Sequence, residues 1–279
     1  MRLWSLTAAT VPIAVGAALA ARAGHFSWLI LALTMAGGVF LQLSANLLNT
    51  YGDFRSGVDT LENPPNAPQL VFGALRPAQV KAAGLAALAC GAFAGFAAAA
   101  LSDWRLLLFA AGGVLGAGCY TTGTRYKYLG FGVPAVALLM GVLMVTASYF
   151  AQAVSISGQS VIASLPLACL VAAIMHGNDL RDIASDRAAG IRTTALIIGP
   201  AAARWLFAAL HIVPYLIIVV SAVANILPRL TLVTFLALPL SVYLVLACLK
   251  GEAGMLEGKT AGTHLLFGVL LVAALMLSN

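Results

Sequence analysis

Two short polar stretches interrupt an otherwise oily chain. The first is Asn46-Leu-Leu-Asn49-Thr-Tyr51-Gly-Asp53-Phe-Arg55-Ser-Gly57-Val-Asp59. The second, far downstream, is Asn178-Asp179-Leu-Arg181-Asp182-Ile-Ala-Ser-Asp186-Arg187. Asn49 and Asp53 lie four residues apart and share one face while a helix persists. Gly57 then permits a turn that swings Asp59 back toward them. Asp182 and Asp186 repeat the four-residue step, with Asn178 one turn earlier. Like charges at this spacing repel by about a few tenths of a kcal/mol on an isolated helix. Beside a low-dielectric phase the repulsion grows, so each pair calls for a cation. Oxygen donors favour Mg²⁺, which binds through one or two carboxylates, several waters and substrate phosphates. The plainer alternative is a solvated helix end whose acids pair with Arg55, Arg181 and Arg187. Two Asn-led clusters, each closing an apolar run on the same side, favour a site, because ionisable residues at membrane depth are functional candidates by default.

Arg125 and Lys127 supply positive charge for a diphosphate: Lys as a point charge, Arg as a bidentate donor. A diphosphate neutralised in this way is a good leaving group. If it leaves an allylic carbon, aromatic faces can stabilise the cation. Tyr51, Tyr120, Tyr126, Tyr149 and Phe150 are the candidates. Tyr126 and Tyr128 read better as members of an interfacial aromatic belt. His176, just before Asn178, is within reach of an acceptor, although a satisfied histidine at a helix end is the commoner case.

These residues need a frame, and composition says what kind. The chain has 279 residues, 62% hydrophobic and 9% charged, against about 25% charged in soluble domains. Apolar runs of this length suit helices crossing a hydrocarbon core of about 30 Å. Nine spans are expected, near 6–22, 27–49, 78–100, 104–121, 131–151, 160–178, 201–224, 230–249 and 262–278. Of the 15 Lys and Arg residues only Arg22, Arg105 and Arg229 fall on one side, which puts the N-terminus and the opposite side in the cytoplasm. Of the nine acids only Asp103 lies away from that side. The net charge of +6 therefore reports topology, and no basic patch for nucleic acid is present. The connection over 50–77, with Pro64, Pro65, Pro68 and Pro77, cannot be one helix. Cys90, Cys119, Cys169 and Cys248 lie in or at the ends of apolar runs without metal-ligand spacing and read as inert buried thiols.

At this point the motifs become recognisable. Asn49-Thr-Tyr51-Gly-Asp53 through Gly57-Val-Asp59 resembles the first Asp-rich motif of the UbiA superfamily of intramembrane prenyltransferases. Asn178 through Asp186-Arg187-Ala-Ala-Gly190-Ile-Arg192-Thr193 resembles the second, and Tyr126-Lys127-Tyr-Leu-Gly130 its basic stretch. The Asn46-Leu-Leu-Asn49 lead and the Gly57-Val-Asp59 ending are most similar to the branch that prenylates 1,4-dihydroxy-2-naphthoate in menaquinone synthesis. Thr50 stands where the superfamily usually has Asp, Ala67 where a related stretch has Arg, and Phe131 where the naphthoate branch often has Glu.

The resemblance implies an all-α integral membrane protein, a single domain over 1–279, with nine transmembrane helices bundled around a central cavity and the N-terminus cytoplasmic. It implies Mg²⁺-dependent transfer of a polyprenyl group from its diphosphate to an aromatic acceptor, at a site facing the cytoplasm of a bacterial inner membrane. Carried over by position, Asp53, Asp59, Asp182 and Asp186 are catalytic. With Asn49 and Asn178 they form the metal set. Asn49, Tyr51, Arg55, Tyr120, Arg125, Lys127, Asn178 and Arg181 are expected to bind substrate. The partners implied are a polyprenyl diphosphate, an aromatic acceptor and the bilayer; chain length and oligomeric state are not fixed by these residues. A membrane phosphotransferase of the CDP-alcohol class is a weaker fit, because its acids sit in one motif. A transporter fits poorly too, since its polar residues belong at the midplane. A lipid- or quinone-binding relative without activity stays open because of Thr50.

Overall fold

Serine side chains start two of the long helices. Ser27 accepts from the Ile30 amide at 3.4 Å, and Ser157 from Ser160 at 3.0 Å, each satisfying one of the donors a helix start leaves bare. Pro77 and Pro200 occupy first-turn positions, where the missing N–H costs nothing. The computed structural model describes residues 3–57, 59, 61, 68–120 and 125–278; Pro64, Pro65 and Ala67 lie outside them.

After a 3-10 turn at Leu3–Leu6 come α1 (Thr7–Arg22), α2 (Trp28–Arg55), α3 (Pro77–Leu101) and α4 (Leu106–Cys119). A 3-10 turn at Tyr126–Tyr128 leads into one rod made of α5 (Gly132–Val136), a π-helical segment (Ala137–Leu143) and α6 (Met144–Ala153). Then follow α7 (Gly158–Arg181) and the short α8 (Ile183–Ala188) and α9 (Thr194–Ile198). Next is α10 (Pro200–Val223). A 3-10 stretch (Arg229–Ala237) continues into α11 (Leu238–Lys250), and α12 (Leu256–Leu277) closes the chain. Among the described residues the only β pairing is an isolated bridge between Leu129 and Arg192.

Eight of these helical stretches are long and apolar enough to cross a membrane. The fourth expected span, α4, is a 14-residue apolar helix, about 21 Å at 1.5 Å per residue. The last helix starts at Leu256, earlier than hydropathy suggests, and draws Glu257 and Lys259 into it. Leu108, Phe93 and Val223 are among many large apolar side chains on the outer surface. Lipid is the solvent that such a surface requires, and the protein is an integral membrane protein.

α1 and α7 are the inner posts, with 67% and 72% of their apolar windows buried, against 28% for α3. Val11, Val15, Leu167, Leu170, Phe267 and Leu271 pack together between them and α12. Small residues permit the close approaches. A Cβ at Gly16 would collide with the Val145 carbonyl of α6, and one at Gly141 with the Ala168 backbone of α7. His211 bridges Ser241 at 3.3 Å and Thr260 at 3.2 Å, tying α10, α11 and α12 together. Of the four thiols expected to be buried only Cys248 is; Cys119 and Cys169 are half-buried and Cys90 is exposed on α3, because hydropathy cannot tell a lipid-facing position from a core one.

Candidate active site

The two polar stretches end α2 and α7 at one end of the bundle. Asn49 and Asp53 sit on the last two turns of α2, and the Asn49 amide donates to Asp53 Oδ2 at 2.8 Å. The helix stops at Ser56, and Gly57 takes φ +75°, a conformation glycine adopts freely. That turn brings the Asp59 amide to the Asp53 carbonyl at 3.4 Å, as the spacing predicts. α7 stops at Arg181, and Asp182 is the joint to α8. The helix is broken there, yet the Asp186 amide still donates to the Asp182 carbonyl at 2.8 Å, so the four-residue relation survives. Asn178 donates to Asp182 Oδ2 at 3.1 Å.

Two cations already occupy these pairs. Lys127 Nζ lies 3.0 Å from both Asp53 oxygens and 2.8 Å from Asn49 Oδ1. The Tyr128 hydroxyl donates to Asp53 Oδ1 at 2.7 Å. Arg181 holds Asp182 through Nε and Nη2 at 2.7 and 2.6 Å, reaches Asn178 Oδ1 at 3.0 Å, and uses Nη1 on Glu257. The basic turn that carries Lys127 is stitched to the loop that follows the second motif. The Arg192 amide donates to the Tyr128 carbonyl at 3.3 Å, and Thr194 Oγ1 to the Gly130 carbonyl at 2.9 Å. Lys127 is thereby fixed between the motifs.

Asp186 reports their convergence. It is 5% exposed. Burial pushes its carboxyl up to about 7; the charges of Asp182 and of Asp53 push the same way, while Lys127 and Arg181 oppose them. A carboxylate of the second motif thus feels one of the first. Burial likewise raises the Tyr128 hydroxyl, with Asp53 adding to it, so it stays a proton donor.

Below the charges lies an apolar chamber of about 960 Å³ including its mouth. Asn49, Lys127, Asn178 and Glu257 line its polar end, Tyr120 and Tyr126 its flank, and Leu139, Met140 and Met144 its wall. An apolar cavity of about 650 Å³ shares Leu41, Gly113, Leu139 and Met144 with it. Charged head and oily depth together suit an amphiphile with an anionic head and a long hydrocarbon tail.

The family model of the UbiA prenyltransferase family matches residues 9–267. The chain belongs to the UbiA prenyltransferase family. It is therefore an enzyme that transfers prenyl groups. It is 31% identical over 279 residues to the 1,4-dihydroxy-2-naphthoate octaprenyltransferase of Bacillus subtilis (strain 168), covering 98% of this chain and 90% of that one. It is 32% identical over 286 residues to UbiA prenyltransferase domain-containing protein 1 of Gallus gallus, covering 100% and 84%. Among solved structures, a UbiA homologue from Aeropyrum pernix K1 superimposes with a TM-score of 0.71 at 18% identity, over 96% of each chain. One from Archaeoglobus fulgidus bound to GPP and Mg²⁺ gives 0.68 at 17%, over 98% and 97%.

Against that family background, the donor set of this UbiA prenyltransferase fits Mg²⁺. Carboxylate and carboxamide oxygens are its only close ligands, and Lys127 stands between Asn49 and Asp53 where a cation would. Among the described residues no three His, Cys, Asp or Glu side chains form a ready-made metal site. That suits a hard ion whose shell is completed by phosphate oxygens and water.

Not every expected residue reaches the chamber. Tyr51 is half-buried under Lys81, whose Nζ lies 5.7 Å from its ring. Arg55 and Arg125 are exposed, and Arg125 adopts φ +52° at the start of the basic turn. Tyr149 belongs to the core between α1 and α7, and Phe150 stacks on Phe109 at 5.4 Å; the alternation of a helix simply turns them away. Tyr126 and Tyr128, read as belt residues, point inward instead. Tyr126 lines the chamber and donates to the Gly116 carbonyl at 2.6 Å. The 3-10 turn between them redirects both rings, which a hydropathy pattern cannot convey. His176 Nε2 bonds the Ala203 carbonyl at 2.8 Å in the core, while its Nδ1 has no partner among the described residues, so the histidine is only half satisfied. The Thr50 hydroxyl donates back to the Asn46 carbonyl at 3.0 Å and adds nothing to the acids.

Two carboxylates were missed. Asp179 is buried, and its Oδ1 has no hydrogen-bond partner among the described residues; its place beside Asn178 was the available signal. Glu257 is buried in the chamber wall. Nothing in its sequence surroundings marks it.

Proposed function

We propose that this enzyme transfers a polyprenyl group from an allylic polyprenyl diphosphate to an aromatic acceptor, in a reaction that depends on Mg²⁺, and that the acceptor is 1,4-dihydroxy-2-naphthoate in menaquinone-type quinone synthesis. The observation that carries the reading is the meeting of two Asn-led acidic pairs, with Lys127 between them, at the mouth of an apolar chamber. Asp53, Asp59, Asp182 and Asp186, with Asn49 and Asn178, hold the metal. Bound there, Mg²⁺ neutralises the charge that develops on the departing diphosphate. Lys127 turns from Asp53 to the phosphate oxygens. Tyr120 and Tyr126 face the allylic carbon, and the chamber keeps water from it. The acceptor's ring carbon bonds to prenyl C1 as the C1–O bond breaks. Where that carbon carried the carboxylate, carbon dioxide leaves and its bonding electrons restore the ring. The Bacillus relative supports the naphthoate acceptor.

The remaining assignments follow from the same reading. The chain is one domain. α4 is the ninth span, the N-terminus is cytoplasmic, and the site opens to the cytoplasmic face of a bacterial inner membrane. Membranes holding the protein are to be incubated with an allylic diphosphate, Mg²⁺, and either 1,4-dihydroxy-2-naphthoate or 4-hydroxybenzoate, and the lipid extract weighed by mass spectrometry. The decarboxylated prenyl-1,4-naphthalenediol, or the quinone it gives on air oxidation, is the expected product. Asp53→Asn and Asp182→Asn each abolish it while the protein still inserts. Normal turnover in either variant sinks the metal assignment, and prenylation of 4-hydroxybenzoate alone sinks the acceptor.

A further inference from the structure

A guanidinium bonded to both oxygens of a proposed metal ligand is a puzzle. Arg181 grips Asp182 at 2.7 and 2.6 Å. Taken alone, that pair is neutral, and a neutral pair is a poor seat for a dication. The third partner changes the balance. Glu257 takes the remaining arm of Arg181 through Oε2. It is 5% exposed, so water screens its charge little. Arg181 therefore divides its charge between two carboxylates, so Asp182, beside Asn178 and Asp186, does not hold the whole of it.

The backbone explains how Glu257 reaches this place. It stands in the first turn of α12, one residue after the buried Leu256. That turn lies directly on α7: a Cβ at Gly177 would come within 3.1 Å of the Glu257 amide and 3.2 Å of Leu256 Cβ. Gly177 immediately precedes Asn178, so the close approach and the motif belong to the same helical turn. Arg181 also reaches Asn178 Oδ1 at 3.0 Å. One guanidinium thus orients both leading residues of the second motif, and Glu257 orients the guanidinium.

We propose that Glu257 is a positioning residue for the metal–diphosphate site: it anchors Arg181 and draws part of the guanidinium's charge away from Asp182. The inference rests on the assignment of Asp182 and Asn178 as metal ligands. Partners that hold a ligand from behind typically change metal affinity by about 10- to 100-fold when removed.

The test uses the full chain in detergent with Mn²⁺ as the probe, a non-hydrolysable prenyl thiolodiphosphate as the second ligand, and free Mn²⁺ read by electron paramagnetic resonance. Glu257→Gln keeps the shape, loses the charge, and binds Mn²⁺ about tenfold more weakly. Glu257→Asp keeps the charge and stays near the parent, which separates charge from loss of fold. In an Arg181→Met background Glu257→Gln causes no further loss, because its effect passes through Arg181. Unchanged Mn²⁺ affinity in Glu257→Gln overturns the inference while Asp182→Asn still loses the metal. So does an equal loss with and without Arg181, which would make Glu257 a direct ligand. Full Mn²⁺ binding in Asp182→Asn overturns the ligand assignment itself, and the role of Glu257 with it.

Discussion

Replacing Lys127 by Met removes the cation that sits on Asp53. Both side chains are nearly inaccessible, at 8% and 9% exposure, with Nζ 3.0 Å from the carboxylate. Stripping one partner from a buried ion pair costs about 3–5 kcal/mol, since the other charge is left uncompensated. Asp53 keeps two donors, the Asn49 amide at 2.8 Å and the Tyr128 hydroxyl at 2.7 Å. The loss therefore falls at the low end, about 3 kcal/mol. At the 2–4 °C per kcal/mol of a large domain, this lowers the unfolding temperature by about 6 °C or somewhat more. Unfolding followed by tryptophan fluorescence in detergent with EDTA measures it.

The same substitution makes a second, opposite forecast. With Lys127 gone, the Asn49–Asp53 pair is an open seat for a dication. Mg²⁺ alone then restores much of the lost stability in Lys127→Met, and raises the parent less, because there it competes with Lys127. Turnover with diphosphate nevertheless falls, since the phosphate oxygens lose a charged donor. The double variant Asp53→Asn/Lys127→Met, a neutral pair, recovers most of the stability. If Lys127→Met unfolds within about 1 °C of the parent in EDTA, or if Mg²⁺ stabilises both proteins equally, Lys127 is not the placeholder described here.

Four further outcomes are expected. The Asp186 carboxyl is raised to about 7 in the fold, so its buried charge costs stability that is lost as pH rises through 7. The metal-free protein should unfold at lower temperature at pH 8 than at pH 6, and Asp186→Asn should flatten that slope. In the opposite sense, protonation below 7 competes with metal, so the Mg²⁺ concentration for half-maximal turnover should rise from pH 8 to pH 6. Gly141→Val forces a branched side chain against the Ala168 backbone and should cost about 1–3 kcal/mol, read as a lower unfolding temperature. Tyr128→Phe removes one charge-assisted bond to Asp53 and should cost about 1.5–3 kcal/mol; a change below a few tenths would mean that water replaces the hydroxyl.

The frame and the acids were legible because they obey simple periodicities. Hydropathy located eight of the nine expected spans, most to within a few residues, and the i, i+4 steps put Asn49 with Asp53 and Asn178 with Asp182. Gly57 was readable as a turn because only its freedom at positive φ explains a glycine between two acids. What escaped depends on three-dimensional direction. Tyr126 and Tyr128 face inward because a 3-10 turn follows the left-handed Arg125. Tyr149 and Phe150, adjacent on α6, point into two different core clusters rather than the chamber. Glu257 reaches Arg181 across a helix contact with no sequence neighbour to announce it.

These misses share a cause that bears on how the site works. Each acidic pair holds a cation that depends on a distant segment: Lys127 comes from the turn before α5, and Arg181, part of the second motif itself, is braced by Glu257 from the first turn of α12. An uncompensated carboxylate pair at the edge of a bilayer is expensive, so a substrate-free site needs counter-charges of its own. Those counter-charges must also yield when a metal and a diphosphate arrive. A lysine on a flexible stem can move from carboxylate to phosphate with little change elsewhere. An arginine gripping two oxygens yields less readily, and a second carboxylate behind it offsets its charge without moving it. The two motifs, alike in sequence, are thus predicted to respond differently to substrate: the first by exchanging its cation, the second by keeping it.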